Sequence, residues 1–403
     1  MAQKGKGRST NGMGTIRKKT IQRNGAEYIY WEGRCTVGFD PGTGKQLQKS
    51  ITGKTQKEVS LKMKEMTRQV DSGVYTEPCK MTVAEYLELW QREYLNSIAP
   101  NTAHSYKTHC RIHIIPGIGA VRLSQLSPLI IQQFCNRLMN ANTNKPLSPK
   151  TVHNIHGTLH RALARAVSLH YISYNPADAV NLDLPQTEAY EINPMEDEDI
   201  IRFIEAIGNN RYRLIYLITL FTGLREGEVL GLSWNDINWR DHILTIRQQL
   251  SINRETREYG IRRPKNKKTR HILVADAVMD LLKEQKDYQE QLRTMAGKAW
   301  SNEWNLVFTK EDGSHLAVST VYNNYKRLVV KIDHGEQRFH DLRHSFASNS
   351  LENGDDIKTV QENLGHHSAA FTLKQYGHVK KTMSIASAQR MDLFIRNVMP
   401  GNG

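Results

Sequence analysis

Helix-start signals recur along this chain, each followed by apolar residues at helical spacing. Thr55-Gln56-Lys57-Glu58 and Thr82-Val83-Ala84-Glu85 have the form of capping boxes, in which a hydroxyl and a carboxylate each accept from the other residue's backbone N–H. Ser148-Pro149 puts a capping hydroxyl before a proline at the first helical position. Behind these signals run stripes that fit one helix face: Val59, Met63, Met66 and Val70; then Val83, Tyr86, Leu87, Trp90 and Tyr94; then Val152, Ile155, Leu159, Leu163 and Val167. A chain so punctuated folds mainly into helices. Its 403 residues exceed what one hydrophobic core usually organises, so two or three domains are expected.

The main exception comes early. Residues 28–37 are rich in aromatic and β-branched side chains, which predicts a strand. Asp40-Pro41-Gly42-Thr43-Gly44 predicts a turn, and 45–52 a returning strand. Residues 1–80 carry 16 Lys and Arg against 7 Asp and Glu, most of the chain's net charge of +14. A small basic α+β domain of this kind suits a nucleic-acid groove. Residues 81–180 predict an all-helical unit. The helix after Ser148 has a polar face of Lys150, His153, Asn154, His156, His160, Arg161 and Arg165. Of these, Lys150, Arg161 and Arg165 are candidates to lie along DNA phosphates. Residues 181–194 hold two prolines and no periodicity, as a linker would. From 195 to 403 helical patterns dominate, with short strands expected at 242–246, 269–274 and 306–309. The expected class is therefore mainly α and multidomain: a small basic α+β domain, an all-α domain, and a mostly helical domain with a small antiparallel sheet.

Other classes are disfavoured. Cys35, Cys79, Cys110 and Cys135 show no CxxC spacing, which suggests reduced thiols rather than a disulfide framework or a zinc ribbon. No apolar stretch follows the basic N-terminus, and the longest apolar run, 214–221, is too short to span a bilayer. A cytoplasmic protein working on DNA, without a membrane, is expected. Pro41-Gly42-Thr43-Gly44-Lys45 lacks the P-loop's first glycine (Phe39 stands there) and its Ser/Thr (Gln46 stands there), so no nucleotide is expected.

The reactive residues cluster late. Gly223-Leu224-Arg225-Glu226-Gly227-Glu228 follows an apolar helix, with Gly223 suited to end it and Glu228 placed to brace Arg225. His340-Asp341-Leu342-Arg343-His344 puts His340 and Arg343 on one helix face. Leu364-Gly365-His366-His367 and Tyr376 complete the set. Two guanidinium groups can fork onto a phosphate, an imidazole can move a proton near neutral pH, and a phenol held beside such cations becomes a usable nucleophile. His340 and His344 also have metal-ligand spacing, and His366, His367 and His378 could add to a metal site. Asp341, however, replaces the glutamate of the zinc-protease motif, and the basic surroundings disfavour a cation; no metal is expected.

Arg225, His340-x-x-Arg343, His366 and Tyr376, in this order and spacing, resemble the signature of the tyrosine recombinases, or phage integrase family. The resemblance is strong from about 195 onward and weaker at 82–180. The basic N-terminal sheet is similar to the arm-binding domain of the larger, three-domain integrases of conjugative transposons. It implies domains at 1–80 (arm-type DNA binding), 81–180 (core binding), 181–194 (linker) and 195–403 (catalysis, with a C-terminal tail). It further implies that Tyr376 attacks a DNA phosphate to give a 3′-phosphotyrosyl bond while Arg225 and Arg343 hold the non-bridging oxygens. His340 would then shuttle the tyrosine proton, and His366 would donate a hydrogen bond. A lysine on a β-hairpin loop would protonate the leaving oxygen: alignment favours Lys265, with Lys267 and Lys268 as close competitors that are also candidates to bind DNA. His344 and His367 are read as supporting residues. The implied partners are double-stranded DNA, a homotetramer in the synapse, and accessory DNA-bending or excision proteins, with no cofactor. Rival readings with shared chemistry are a type IB topoisomerase and a resolvase; a non-catalytic DNA-binding regulator is the rival of another class.

Overall fold

The aromatic run of the N-terminal region does form a strand, longer than expected and flanked by two others. The computed structural model describes residues 15–23, 26–39, 42–71, 80–140, 146–178, 180, 182–187, 193–264, 268–366 and 381–398. Lys265, Lys267, His367, Tyr376 and His378 lie outside the described residues, as do Cys79 and positions 40 and 41 of the expected turn. The chain divides into two compact units, Met1–Thr187 and Glu188–Gly403.

In the first unit, β1 (Ile16–Arg23), β2 (Ala26–Phe39) and β3 (Gln46–Gly53) form an antiparallel sheet in that order. β1 escaped the sequence reading because it has only two apolar residues, Ile16 and Ile21. Helix α1 (Gln56–Asp71) covers one face, burying Cys35, Ile51, Val59 and Met63. Gly33 is needed there, since a Cβ would sit 2.2 Å from Met63 Sδ. Alternation and register send Arg17, Lys19, Tyr28, Tyr30 and Arg34 to the opposite, uncovered face. The expected cap is displaced by one residue: Glu58 N–H donates to Thr55 Oγ1 at 3.2 Å, but Glu58 Oε2 accepts from Lys54 N–H at 2.9 Å.

A separate apolar core in the same unit joins α2 (Val83–Tyr94), α3 (Pro100–His109), a π-helical turn at Cys110–Ile114, α4 (Ile115–Ile118), α5 (Pro128–Met139) and α6 (Pro149–Ser168). The Thr82 capping box is complete, and the buried Tyr86 hydroxyl donates to the Ala162 carbonyl at 2.7 Å. The π-helical turn was not foreseen. One part of the α6 reading is corrected. His153, His156 and His160 are not a free polar face. Their Nε2 atoms bond Pro185 O at 2.7 Å, Ala177 O at 2.8 Å and Asp178 Oδ1 at 3.0 Å, pinning the segment after α6 back onto it. Lys150, Arg161 and Arg165 are exposed. Leu182 and Leu184 pack on this helical core, so part of the stretch read as linker is docked.

The second unit runs through α7 (Asp197–Ile207), α8 (Arg213–Thr222), α9 (Glu226–Leu230), β4 (Ile237–Asn238), β5 (Ile243–Ile246), β6 (Gln249–Ile252), β7 (Tyr259–Arg262) and β8 (Arg270–Leu273). It continues with α10 (Asp276–Ala296), α11 (Val318–Lys331), α12 (Phe339–Glu352), α13 (Ile357–Leu364) and α14 (Lys381–Val398). α8 is apolar on nearly every side and forms the middle of the core, against Phe203, Tyr325 and Phe339. β4, β5 and β8 form a small antiparallel sheet, with the β6–β7 hairpin inserted between β5 and β8. The strands expected at 242–246 and 269–274 are β5 and β8. The one expected at 306–309 is corrected: this segment makes only isolated bridges, Ser233 with Leu306 and Thr309 with His315. Leu306, Val307 and Phe308 are all buried, so a strand-like composition here reflects burial rather than pairing. No helix among the described residues is long and apolar enough to cross a membrane.

Candidate active site

Four of the six residues read as catalytic are described, and they sit at the ends of elements that meet in the second unit. α8 ends at Gly223, whose φ of +66° lies in the left-handed region. An added Cβ there would come within 2.5 Å of Phe346 Cδ1 and 2.8 Å of Leu364 Cδ2, so α12 and α13 pack directly on this turn. The turn delivers Arg225 to the N-terminal end of α9. The Glu228 carboxylate accepts from the Arg225 backbone N–H at 3.0 Å and from its guanidinium at 2.8 Å. The brace expected from the sequence is therefore present. Glu228 itself is 1% exposed, and the Arg225 side chain 26%.

Arg343 is also 1% exposed. Its guanidinium donates to the Gly223 carbonyl at 2.7 Å and to the Leu364 carbonyl. It thus ties the end of α8, just before Arg225, to the end of α13, just before His366. Gly365 ends α13 with φ +61°, and Gln361 holds the box from both sides: its side-chain amide donates to His366 O at 3.1 Å, and its backbone carbonyl accepts from the His366 N–H at 3.1 Å. His340 and His344 lie one turn apart on α12, ring centroids 5.0 Å apart and edge to face. Asp341, 1% exposed, accepts from the Arg338 backbone N–H at 2.7 Å and caps the same helix.

The electrostatics follow from this crowding of cations. Burial, then the charges of Arg343 and Arg225 and of the neighbouring imidazoles, push His366 down to about 3. Burial pushes His344 down to about 4, with the Arg343 charge adding to it and Asp341 opposing it. His340 is exposed, and its value is lowered by partial loss of hydration and then by His344, Arg343 and Arg225. All three imidazoles are neutral at pH 7, each with one ring nitrogen to donate and one to accept a hydrogen bond. Glu228 is lowered too, but for a carboxylate this favours the charged form. Burial alone would raise it, but hydrogen bonds from Arg270 and the charges of Arg270 and Arg225 hold it at about 2. An anion entering among Arg225, Arg343 and these neutral rings would meet a net positive field with little water.

Two features were missed from the sequence. Arg270, noted only as part of a strand, reaches Glu228 with both terminal nitrogens. Glu226, beside Arg225, has a buried carboxylate oxygen without a hydrogen-bond partner, and burial pushes its pKa up to about 7. Neither could be read from spacing, because both depend on what lies across the fold.

Comparison with known proteins gives the family and the fold. The pattern of the phage integrase family matches residues 192–383, and that of the phage integrase N-terminal SAM-like domain matches residues 82–139. A tyrosine recombinase XerC-like protein of Caldanaerobacter subterraneus subsp. tengcongensis is 29% identical over 398 residues, covering 94% of this chain and 100% of that protein. The ICEBs1 integrase of Bacillus subtilis (strain 168) is 25% identical over 360 residues, covering 89% and 95%. In fold, the chain is similar to the Tn1549 transposon integrase in complex with a circular intermediate DNA, with a TM-score of 0.64, 22% identity, and 77% of this chain and 99% of that one covered. It is also similar to lambda integrase bound as a dimer to a core site, with a TM-score of 0.54 at 16% identity, covering 90% and 96%. The chain belongs to the phage integrase family, the tyrosine recombinases, enzymes that cut and rejoin DNA.

Proposed function

We propose that this recombinase integrates and excises a mobile DNA element, using Tyr376 as nucleophile. The Tyr376 oxygen attacks the scissile phosphorus as its proton passes to His340. The bond to the 5′-oxygen breaks, and that oxygen takes a proton from Lys265. The product is a 3′-phosphotyrosyl bond and a free 5′-hydroxyl. Arg225 and Arg343 hold the non-bridging oxygens, and His366 donates to one of them. The phosphoester is conserved in the enzyme–DNA bond, so religation to a partner strand is near-isoenergetic and needs no nucleotide. The observation that carries this reading is the convergence of Arg225, Arg343, His340 and His366 from three separate stretches of sequence, close enough that both arginines help to lower the two imidazoles.

The remaining parts follow from the same reading. The uncovered face of the β1–β2–β3 sheet, with Arg17, Lys19 and Arg34 among Tyr28 and Tyr30, serves as the arm-site reader of a domain over 1–80. Lys150, Arg161 and Arg165 of the helical domain (81–180), together with Lys267 and Lys268 beside the general acid, contact phosphates of the core site. Residues 181–194 link these parts to the catalytic domain. Exchange of two strand pairs calls for four copies on two duplexes, in the bacterial cytoplasm, with accessory DNA-bending or excision proteins setting direction. The test is a nicked duplex that traps the cleaved state. Wild-type protein is expected to become covalently joined to the 3′ end, and Tyr376→Phe is not. No adduct from the wild type would overturn the reading, and relaxation of supercoils without partner exchange would favour a topoisomerase.

A further inference from the structure

Arg270 opens β8 and is 9% exposed. Its Nη1 and Nη2 donate to the two oxygens of Glu228 at 2.9 and 2.6 Å, and its Nε donates to the Asn363 carbonyl at 2.8 Å. The same carboxylate holds the Arg225 guanidinium at 2.8 Å. One buried negative charge is therefore shared by two cations, one of them enclosed and the other, Arg225, reaching toward solvent. Gly365 lies across the Arg270 stem, where a Cβ would come 3.0 Å from Cδ and 3.3 Å from Nη1. The glycine before His366 is thus required twice, by its φ of +61° and by the arginine beneath it.

We propose that Arg270 is a positioning residue for strand cleavage: it neutralises Glu228, so that the charge of Arg225 is left for the phosphate, and it fixes the end of α13 from which His366 projects. This rests on the reading of Arg225 and His366 as phosphate-binding groups. The charge count gives the reason. With Arg270 present, Glu228 and its two partners sum to one positive charge. Without it, Arg225 and Glu228 form a neutral pair, and a phosphate arriving at Arg225 gains little. The carboxylate is still needed, because it orients Arg225 through both backbone and side chain. A bidentate pair with a third bond to a carbonyl is a geometry that arginine provides and lysine does not. One side chain thus joins Glu228, which braces Arg225, to the end of α13 before His366.

The test is single-turnover cleavage of the nicked duplex by the full chain, at saturating DNA, with duplex affinity and unfolding midpoint measured on the same samples. Arg270→Met is expected to slow cleavage by about 100-fold while leaving Kd within about threefold. Glu228→Gln combined with Arg270→Met removes the uncompensated charge and is expected to recover about tenfold of that loss. A double variant no faster than Arg270→Met, with both folded, would overturn the electrostatic role. Should Arg270→Met not fold, Arg270→Lys decides: it keeps the charge but not the three bonds, and cleavage within about twofold of wild type would overturn the proposal. Arg225→Ala serves as the control. If it cleaves like wild type, the reading of the site fails; if it is inactive while the Arg270 variants are normal, only this inference fails.

Discussion

The Arg343 guanidinium donates to the carbonyl oxygen of Gly223 at 2.7 Å, across 120 residues of sequence. The same group bonds the Leu364 carbonyl, so a residue read as a phosphate clamp also joins the two turns that present Arg225 and His366. Arg343→Lys keeps the charge but cannot serve both carbonyls with the same geometry. We expect a loss of about 1–3 kcal/mol in stability, seen in urea unfolding, with cleavage reduced more than DNA affinity.

Gly223→Ala tests the turn itself. The left-handed φ of +66° and the approach of Phe346 and Leu364 both oppose a methyl group. A cost of about 1–3 kcal/mol is expected, with a lower Tm and impaired cleavage. Unchanged Tm would show that α12 and α13 yield freely at this point.

The buried titratable groups make stability depend on pH with opposite signs. Glu226 is raised to about 7, above its unfolded value of 4.5, so its protonated form is favoured in the fold. That contribution is lost as pH rises from about 4.5 through 7. His344 and His366 are lowered to about 4 and about 3 from 6.5, and their contribution is lost as pH falls from 6.5 toward those values. Glu226→Gln should therefore raise stability at pH 8 by about 1–3 kcal/mol, with a much smaller gain at pH 5. Denaturant unfolding at the two pH values measures the difference; equal gains at both would refute it.

Arg165 lies over the Tyr94 ring, its guanidinium carbon 4.4 Å from the centroid, while remaining exposed on α6. If it holds a core-site phosphate, Arg165→Ala should reduce the slope of log affinity against log salt by about 1. Stability should change by about 1 kcal/mol or less. Core-duplex binding titrated over a range of salt gives the answer.

Much of this protein was legible before folding. Thr82 and Ser148 announced their helices because a cap is a local bond between residues two or three apart. The stripes of α2 and α6 marked their buried faces because helical periodicity is written in the chain. Gly223 and Gly365 marked helix ends, and the boxes around Arg225, Arg343 and His366 marked the site by their residue types. Local order did not reveal β1, which has little alternation, or the β6–β7 hairpin. It made 306–309 look like a strand because buried runs and paired runs share a composition. It also put His153, His156 and His160 on an open face, although the segment at 177–185 folds back to meet them. Only the tertiary structure decided that Glu228 serves Arg225 and Arg270 together, that Arg343 holds the ends of two helices, and that one Glu226 carboxylate oxygen is buried without a hydrogen-bond partner. Each of these depends on contacts between residues far apart in sequence, and the burial that sets their charge states exists only once those segments have met.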